Sequence, residues 1–147
     1  MSDYFAKTAR DMLAKARREF RAMQSDLNPD TIGDFFTTVS HVMDYVKADL
    51  GIPLNAGRAA LPLAVQQMYH DPDMQTAREL NNLRKHARLD PTRRQPSSPS
   101  YISHSDSAFV EPQERYTATQ GGARIDFEAV GSRLIQKLEI SLDALGL

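Results

Sequence analysis

The sequence has no cysteine in its 147 residues. This absence excludes disulfide bonds, thiolate metal sites and a cysteine nucleophile. No run approaches the roughly 20 apolar residues that are needed to cross a bilayer. The first twenty residues contain no uninterrupted apolar core, so we expect no signal peptide, no membrane association and a cytoplasmic protein.

An excess of charge of either sign is also missing. The formal net charge is −1, so bulk electrostatics do not predict a nucleic-acid-binding protein, and any such site must be a local patch. The chain contains no Walker A loop, no GxSxG elbow and no HExxH helix, which leaves the corresponding enzyme classes without support. We identify no metal-ligand set and no cofactor motif.

The apolar residues that are present recur mainly with the spacing of helices. Stripes at intervals of three and four residues predict long helices at 2–27, 31–50, 71–88 and 127–145, with a shorter helix at 63–69. Asn28 and Asp126 are predicted N-caps, and Gly51 is a predicted C-terminal stop. The glycine at 131 costs about 1 kcal/mol relative to alanine unless a neighbouring helix packs closely against it.

Two segments interrupt this helical pattern. Residues 89–107 are rich in proline and serine and predict a mobile loop. Residues 108–126 predict a small β-hairpin, with strands at 108–110 and 115–119, a Gly-Gly turn and a return arm at 123–126. We therefore predict a single all-α domain over 1–147. It is an up-and-down bundle of four main helices plus a short fifth, with the hairpin inserted before the last helix.

The helix predicted at 71–88 carries the most chemical information. Positions three and four apart stack on a helix, so Arg78, Asn82, Lys85 and His86 share one face. Between Arg78 and residue 94 there are six lysines and arginines against two acids, which is the one basic cluster that nearby carboxylates do not offset. Arg84 and Arg88 belong to this cluster, so the sequence indicates a local anion-binding surface.

Two stretches carry a resemblance to a known family. Residues 78–86, RELNNLRKH, resemble the late-helix motif of HEPN-domain proteins, in which an arginine and a polar residue precede a histidine. Residues 35–46, FFTTVSHVMDYV, resemble the second helix of one subset, with an aromatic pair, a histidine and then Asp-aromatic. Seven residues separate Arg78 from His86, a longer spacing than the family usually shows.

The resemblance implies an all-α bundle that forms a homodimer through the helix at 71–88. It also implies an RNA-directed protein, which in many members is a metal-independent endoribonuclease of a defence or toxin–antitoxin system. The implied catalytic residues are Arg78, which would hold the phosphate, and His86, which would take a proton from a ribose hydroxyl. The residues implied to bind substrate are Asn82, Lys85, Arg84, Arg88, His41 and Tyr45.

A second hypothesis comes from a different class of protein. The same polar face could belong to a non-catalytic helical interaction module that binds a protein partner. In that case Arg78 would form an ion pair with an internal acid such as Glu79, Asp44 or Asp34, and no open pocket would remain. For His41, the alternative to a site role is a histidine packed at the border between two helices.

Overall fold

The computed structural model describes residues 7–89, 100–104, 116–120 and 123–147, with side chains described at 7–82 and 124–147. Most of this part is helical, as the sequence predicted for an all-α protein. The helices are α1 (Ala9–Ser25), α2 (Pro29–Asp49), α3 (Leu63–His70), α4 (Pro72–Leu89) and α5 (Phe127–Leu145), with a 3-10 turn at Arg58–Ala60.

Helix α1 begins later than predicted. The sequence pattern extended the helix back to residue 2, but Lys7 and Thr8 are not helical, and residues 1–6 lie outside the described part. Thr8 is the N-cap of α1. Its hydroxyl accepts the backbone N–H of Asp11, and the Asp11 carboxylate accepts the backbone N–H of Thr8. Such a reciprocal capping box satisfies two backbone donors that the helix leaves free.

Three predicted helix caps are confirmed, whereas α1 ends at Ser25 rather than at the predicted residue 27. The Asn28 side chain accepts the backbone N–H groups of Asp30 and Thr31 at the start of α2. Gly51 follows α2 with φ +69°, a left-handed conformation that favours glycine. The Asp126 carboxylate accepts the backbone N–H of Ala129 at the start of α5. These caps are local, which is why the sequence alone could place them.

Side-chain contacts show that α1 and α2 run antiparallel. The backbone N–H of Ala9, at the start of α1, donates to Asp49 near the end of α2, and Glu19 further along α1 accepts from Thr38. Arg17 of α1 pairs with Glu139 of α5 at 2.5 Å. The core lies between these helices and includes the apolar stripes predicted for α2 and α5. Its largest fully buried side chains include Phe35, Phe36, Met23, Ile32, Met74, Leu134, Leu138 and Leu142.

A charged cluster fastens the start of α4 to α5. Arg133 donates two parallel hydrogen bonds to the Asp73 carboxylate, both of 2.9 Å. Lys137 Nζ lies 2.8 Å from carboxylate oxygens of both Asp71 and Asp73. The hydrogen bond from Arg133, together with those from Lys137, lowers the pKa of the buried Asp73 below its usual range.

Three strands form an antiparallel sheet in the order β1 (Ser100–His104), β2 (Tyr116–Gln120) and β3 (Ala123–Arg124). Residue 100 pairs with 120 and residue 104 with 116. Strand β1 lies inside the segment that the composition predicted to be an irregular loop, so the structure differs from the prediction at these five residues. Both the predicted strand at 108–110 and the Gly-Gly turn at 121–122 lie outside the described residues.

None of the helices in the described part combines the length and the apolar character that a membrane crossing requires.

Candidate functional site

The candidate site is organised around the first half of α4. Asp71 caps this helix as predicted, because its carboxylate accepts the backbone N–H groups of Asp73 and Met74. Ala77 and Leu80 are buried, as the predicted apolar stripe requires, and the remaining stripe positions at 83 and 87 lie outside the described side chains. The buried stripe fixes the rotation of α4 and so determines where Arg78 points.

Arg78 belongs to a group that we call the Tyr69 cluster, in which three cations (Lys47, Arg58 and Arg78) approach the ring of Tyr69. Arg78 donates a hydrogen bond of 2.7 Å to the main-chain carbonyl of Tyr69. Three cationic groups approach the centroid of the Tyr69 ring, with Lys47 Nζ at 4.9 Å and the guanidinium carbons of Arg58 and Arg78 at 5.1 and 5.4 Å. Cation–π contacts of this kind are individually worth about 0.5–2 kcal/mol.

The positive charge of the Tyr69 cluster is not neutralised by any ion pair among the described residues. Within the described part of the chain, no carboxylate forms an ion pair with Lys47, Arg58 or Arg78. Burial lowers the pKa of Arg78, and the neighbouring charge of Arg58 lowers it further. Lys47 is only 7 % exposed, and its ammonium donates to the carbonyl of Leu54 at 3.3 Å. The cluster is therefore a partly buried concentration of positive charge.

This geometry differs from what the interaction-module hypothesis predicted for Arg78. The guanidinium does not pair with Glu79, Asp44 or Asp34 among the contacts that the structure describes; it binds a main-chain carbonyl and lies near a second arginine. The reason is tertiary, since the end of α3 brings the Tyr69 carbonyl to Arg78. Asp34 and Glu79 have other interactions.

The remaining predicted site residues with described side chains differ in their exposure to solvent. Asn82 is exposed on α4 and His41 is exposed on α2, whereas Tyr45 is half-buried against the core. The hydroxyl of Thr37 donates to Asn81 at 2.9 Å and joins α2 to α4 one turn before His41. No direct contact between His41 and Arg78 is described.

The structure describes only the backbone of the second half of the predicted motif. Helix α4 continues to Leu89, so its backbone carries Arg84, Lys85, His86 and Arg88 as predicted. Their side chains lie outside the described part, and their roles stay predictions.

Three residues of the Tyr69 cluster were not predicted as site residues from the sequence. Lys47 lies in the last turn of α2, Arg58 in the connector that follows, and Tyr69 in the short helix α3. They are 11 residues apart or more in the chain, so no helical periodicity groups them with Arg78. A possible signal was the presence of basic residues on both sides of the turn at Gly51 without matching acids between residues 50 and 70.

A separate depression of about 490 Å³ lies at the starts of α4 and α5. It is lined by Asp73, Thr76, Arg124 and Arg133, among others. Because Asp73 and Arg133 already neutralise each other, this depression offers less reason for a charged ligand than the Tyr69 cluster does. Among the described residues, no group of three or more histidine, aspartate or glutamate side chains is arranged to hold a metal ion.

Comparisons of the chain with protein-family models, with curated proteins and with solved structures found no match.

Proposed function

We propose that this protein is a HEPN-like RNA-directed protein that cleaves RNA without a metal ion, with Arg78 and His86 as its catalytic residues. The observation that carries the proposal is the placement of Arg78. Its guanidinium is held by the Tyr69 carbonyl and belongs to a cluster of three cations with no ion-paired carboxylate among the described residues. An arginine in such surroundings favours an anionic ligand, because the ligand would offset the repulsion between Arg78 and Arg58.

The proposed chemistry follows from the two residue types. A neutral His86 takes the proton of a ribose 2′-hydroxyl, and the 2′-oxygen attacks the adjacent phosphorus. The bond from phosphorus to the 5′-oxygen breaks, and that oxygen takes up a proton from water. The hydroxide that remains takes the proton from His86, which is neutral again. The products are a 2′,3′-cyclic phosphate and a free 5′-hydroxyl. Arg78 offsets the negative charge that develops on the phosphate oxygens.

The rest of the proposal concerns assembly. We propose that the four long helices form an up-and-down bundle with a β-hairpin before α5, and that two copies pair through α4 in the cytoplasm. Arg84, Lys85, Arg88 and Asn82 would then contact the RNA backbone along the same helix. A setting in defence or in a toxin–antitoxin pair, with a protein partner that restrains cleavage, fits such an activity.

The test is cleavage of total cellular RNA by purified protein in EDTA, comparing wild type with His86→Ala. We expect wild type to yield fragments that end in a cyclic phosphate, and we expect His86→Ala to yield none. The matched control is His70→Ala, which removes an exposed histidine at the end of α3 and should leave cleavage intact.

Two outcomes would contradict the enzymatic proposal. One is the absence of cleavage by wild type at high protein concentration. The other is equal cleavage by wild type and His86→Ala, which would indicate a contaminating nuclease. In either case the non-catalytic helical module remains, with α4 as its binding surface.

A further inference from the structure

Lys47 belongs to the Tyr69 cluster but has no role of its own in the proposed cleavage of RNA. It is more than nine-tenths buried, yet the only acceptor described for its ammonium group is the carbonyl of Leu54, at 3.3 Å. An ammonium group carries three N–H donors, and this carbonyl accepts only one of them. Burying an ammonium group costs free energy unless an acceptor or an opposite charge compensates for it.

Arg58 adds a second observation that is independent of the first. Its side chain comes from the connector between α2 and α3 and approaches the same ring as Lys47 and Arg78. The C-terminal end of the α2 dipole offsets part of the Lys47 charge. Arg58 has no such compensation from a long helix, and its charge acts on Arg78. Three cations from three different segments therefore converge on one position.

We propose that the Tyr69 cluster binds a phosphate monoester, with Lys47 and Arg58 as ligands alongside Arg78. The charge count selects this ligand, because a monoester carries about −1.5 to −2 near neutral pH whereas an internal phosphodiester of RNA carries −1. Arginine donors match the oxygens of a phosphate in pairs, and lysine acts as a point charge. This inference goes beyond the proposed function, since it requires neither His86 nor cleavage.

The same group could be free inorganic phosphate or the terminal phosphate of a nucleic-acid strand. Calorimetric titration of the full chain at constant ionic strength separates these sources. One arm uses inorganic phosphate, and another uses a short RNA carrying a 5′-phosphate against the same RNA with a 5′-hydroxyl. We expect saturable binding of one phosphate per chain. We also expect a preference for the phosphorylated strand if strand ends are the natural ligand.

Two matched variants test the residues. Arg58→Gln removes one charge of the Tyr69 cluster from an exposed side chain, and Arg21→Gln makes the same chemical change at an exposed position of α1. We expect Arg58→Gln to weaken phosphate binding about tenfold or more, since a hydrogen bond to a charged group is lost, and Arg21→Gln to leave it unchanged. Lys47→Met provides a second variant that keeps the buried stem, and it should weaken binding in the same way.

The inference is overturned if neither inorganic phosphate nor the phosphorylated strand saturates the protein. It is also overturned if Arg58→Gln and Arg21→Gln bind equally well while both stay folded by circular dichroism. Phosphate binding without any RNA cleavage would support this inference and contradict only the ribonuclease function. RNA cleavage without phosphate binding would contradict this inference and support the ribonuclease function.

Discussion

The guanidinium of Arg78 donates its hydrogen bond to the main-chain carbonyl of Tyr69, 2.7 Å away. The contact joins the first half of α4 to the end of α3. It also holds a cation beside Lys47 and Arg58 rather than beside an acid. Because the acceptor is a backbone atom, the position of Arg78 depends on the fold of α3 and not on the identity of a polar partner side chain.

A pair of substitutions at Tyr69 tests this relationship. Tyr69→Phe keeps both the ring and the carbonyl, so we expect the free energy of unfolding to change by no more than about 0.5 kcal/mol. Tyr69→Ala removes a half-buried ring that packs on the core and contacts three cations, and we expect a loss of about 2 kcal/mol. Urea unfolding measures the free energy of unfolding of both variants. An equal loss of stability in the two would contradict a contribution of the ring.

The carboxylate of Asp73 should contribute to stability because it is buried against Arg133 and Lys137. We expect Asp73→Asn to lower the free energy of unfolding by about 1–3 kcal/mol, since charge-assisted hydrogen bonds are lost. Asp143→Asn is the matched control, because Asp143 pairs with Arg10 at an exposed position and such pairs are worth less than about 1 kcal/mol. A larger effect at Asp143 than at Asp73 in urea unfolding would contradict this account.

The same carboxylate predicts how stability depends on pH. The pKa of Asp73 is lowered from 3.8 by the hydrogen bond from Arg133 and by Lys137. A lowered native pKa means that the contribution of Asp73 is fully present above the unfolded-state pKa and is lost as the pH falls through the native value. The stability difference between wild type and Asp73→Asn should therefore be constant near neutrality and shrink below about pH 4. A difference that stays unchanged down to pH 2 would exclude the ion pair as its source.

Gly131 is a position where α5 packs closely against the aromatic core. A Cβ atom there would lie 2.8 Å from the Phe20 ring and 3.0 Å from the Phe35 ring, and Phe35 is fully buried. We expect Gly131→Ala to destabilise the protein by about 1–3 kcal/mol, although alanine favours helix. Ser132→Ala, at the next and exposed position, should stay within about 0.5 kcal/mol of wild type. Thermal unfolding compares the stability of the two variants. A stabilised Gly131→Ala variant would show that the Phe20 and Phe35 rings shift to accommodate the methyl group without loss of stability.

The parts of the structure that the sequence could predict are those encoded locally. The helix ends at Asn28, Gly51 and Asp126 depend on contacts with residues a few positions away. The apolar stripes of α2 and α5 follow from the helical repeat of about 3.6 residues, which can be read directly from the sequence. For Gly131 the sequence predicted a cost unless a neighbouring helix packs closely against it, and the structure shows that Phe20 and Phe35 pack there. The predicted start of α1 was wrong. The apolar pattern continues before Thr8, and this pattern does not indicate that Thr8 caps the helix.

The candidate site was only partly predictable for a different reason. Arg78, Asn82, Lys85 and His86 share a face by helical geometry alone. The partners of Arg78 come from α2, from the connector and from α3, and their convergence depends on how those segments pack. The pairing of Asp73 with Arg133 and Lys137 was missed in the same way, since Asp73 and Arg133 lie 60 positions apart in the chain.

The salt dependence of RNA binding tests the central claim most directly, which is that Arg78 contacts an RNA phosphate. Single-stranded RNA affinity of wild type should fall steeply as salt rises, because phosphate contacts release counterions. Arg78→Ala should bind more weakly and with a slope reduced by about 0.7, whereas Arg21→Ala should keep the wild-type slope. Wild-type affinity that does not change with salt, or an Arg78→Ala slope equal to that of wild type, would contradict the account.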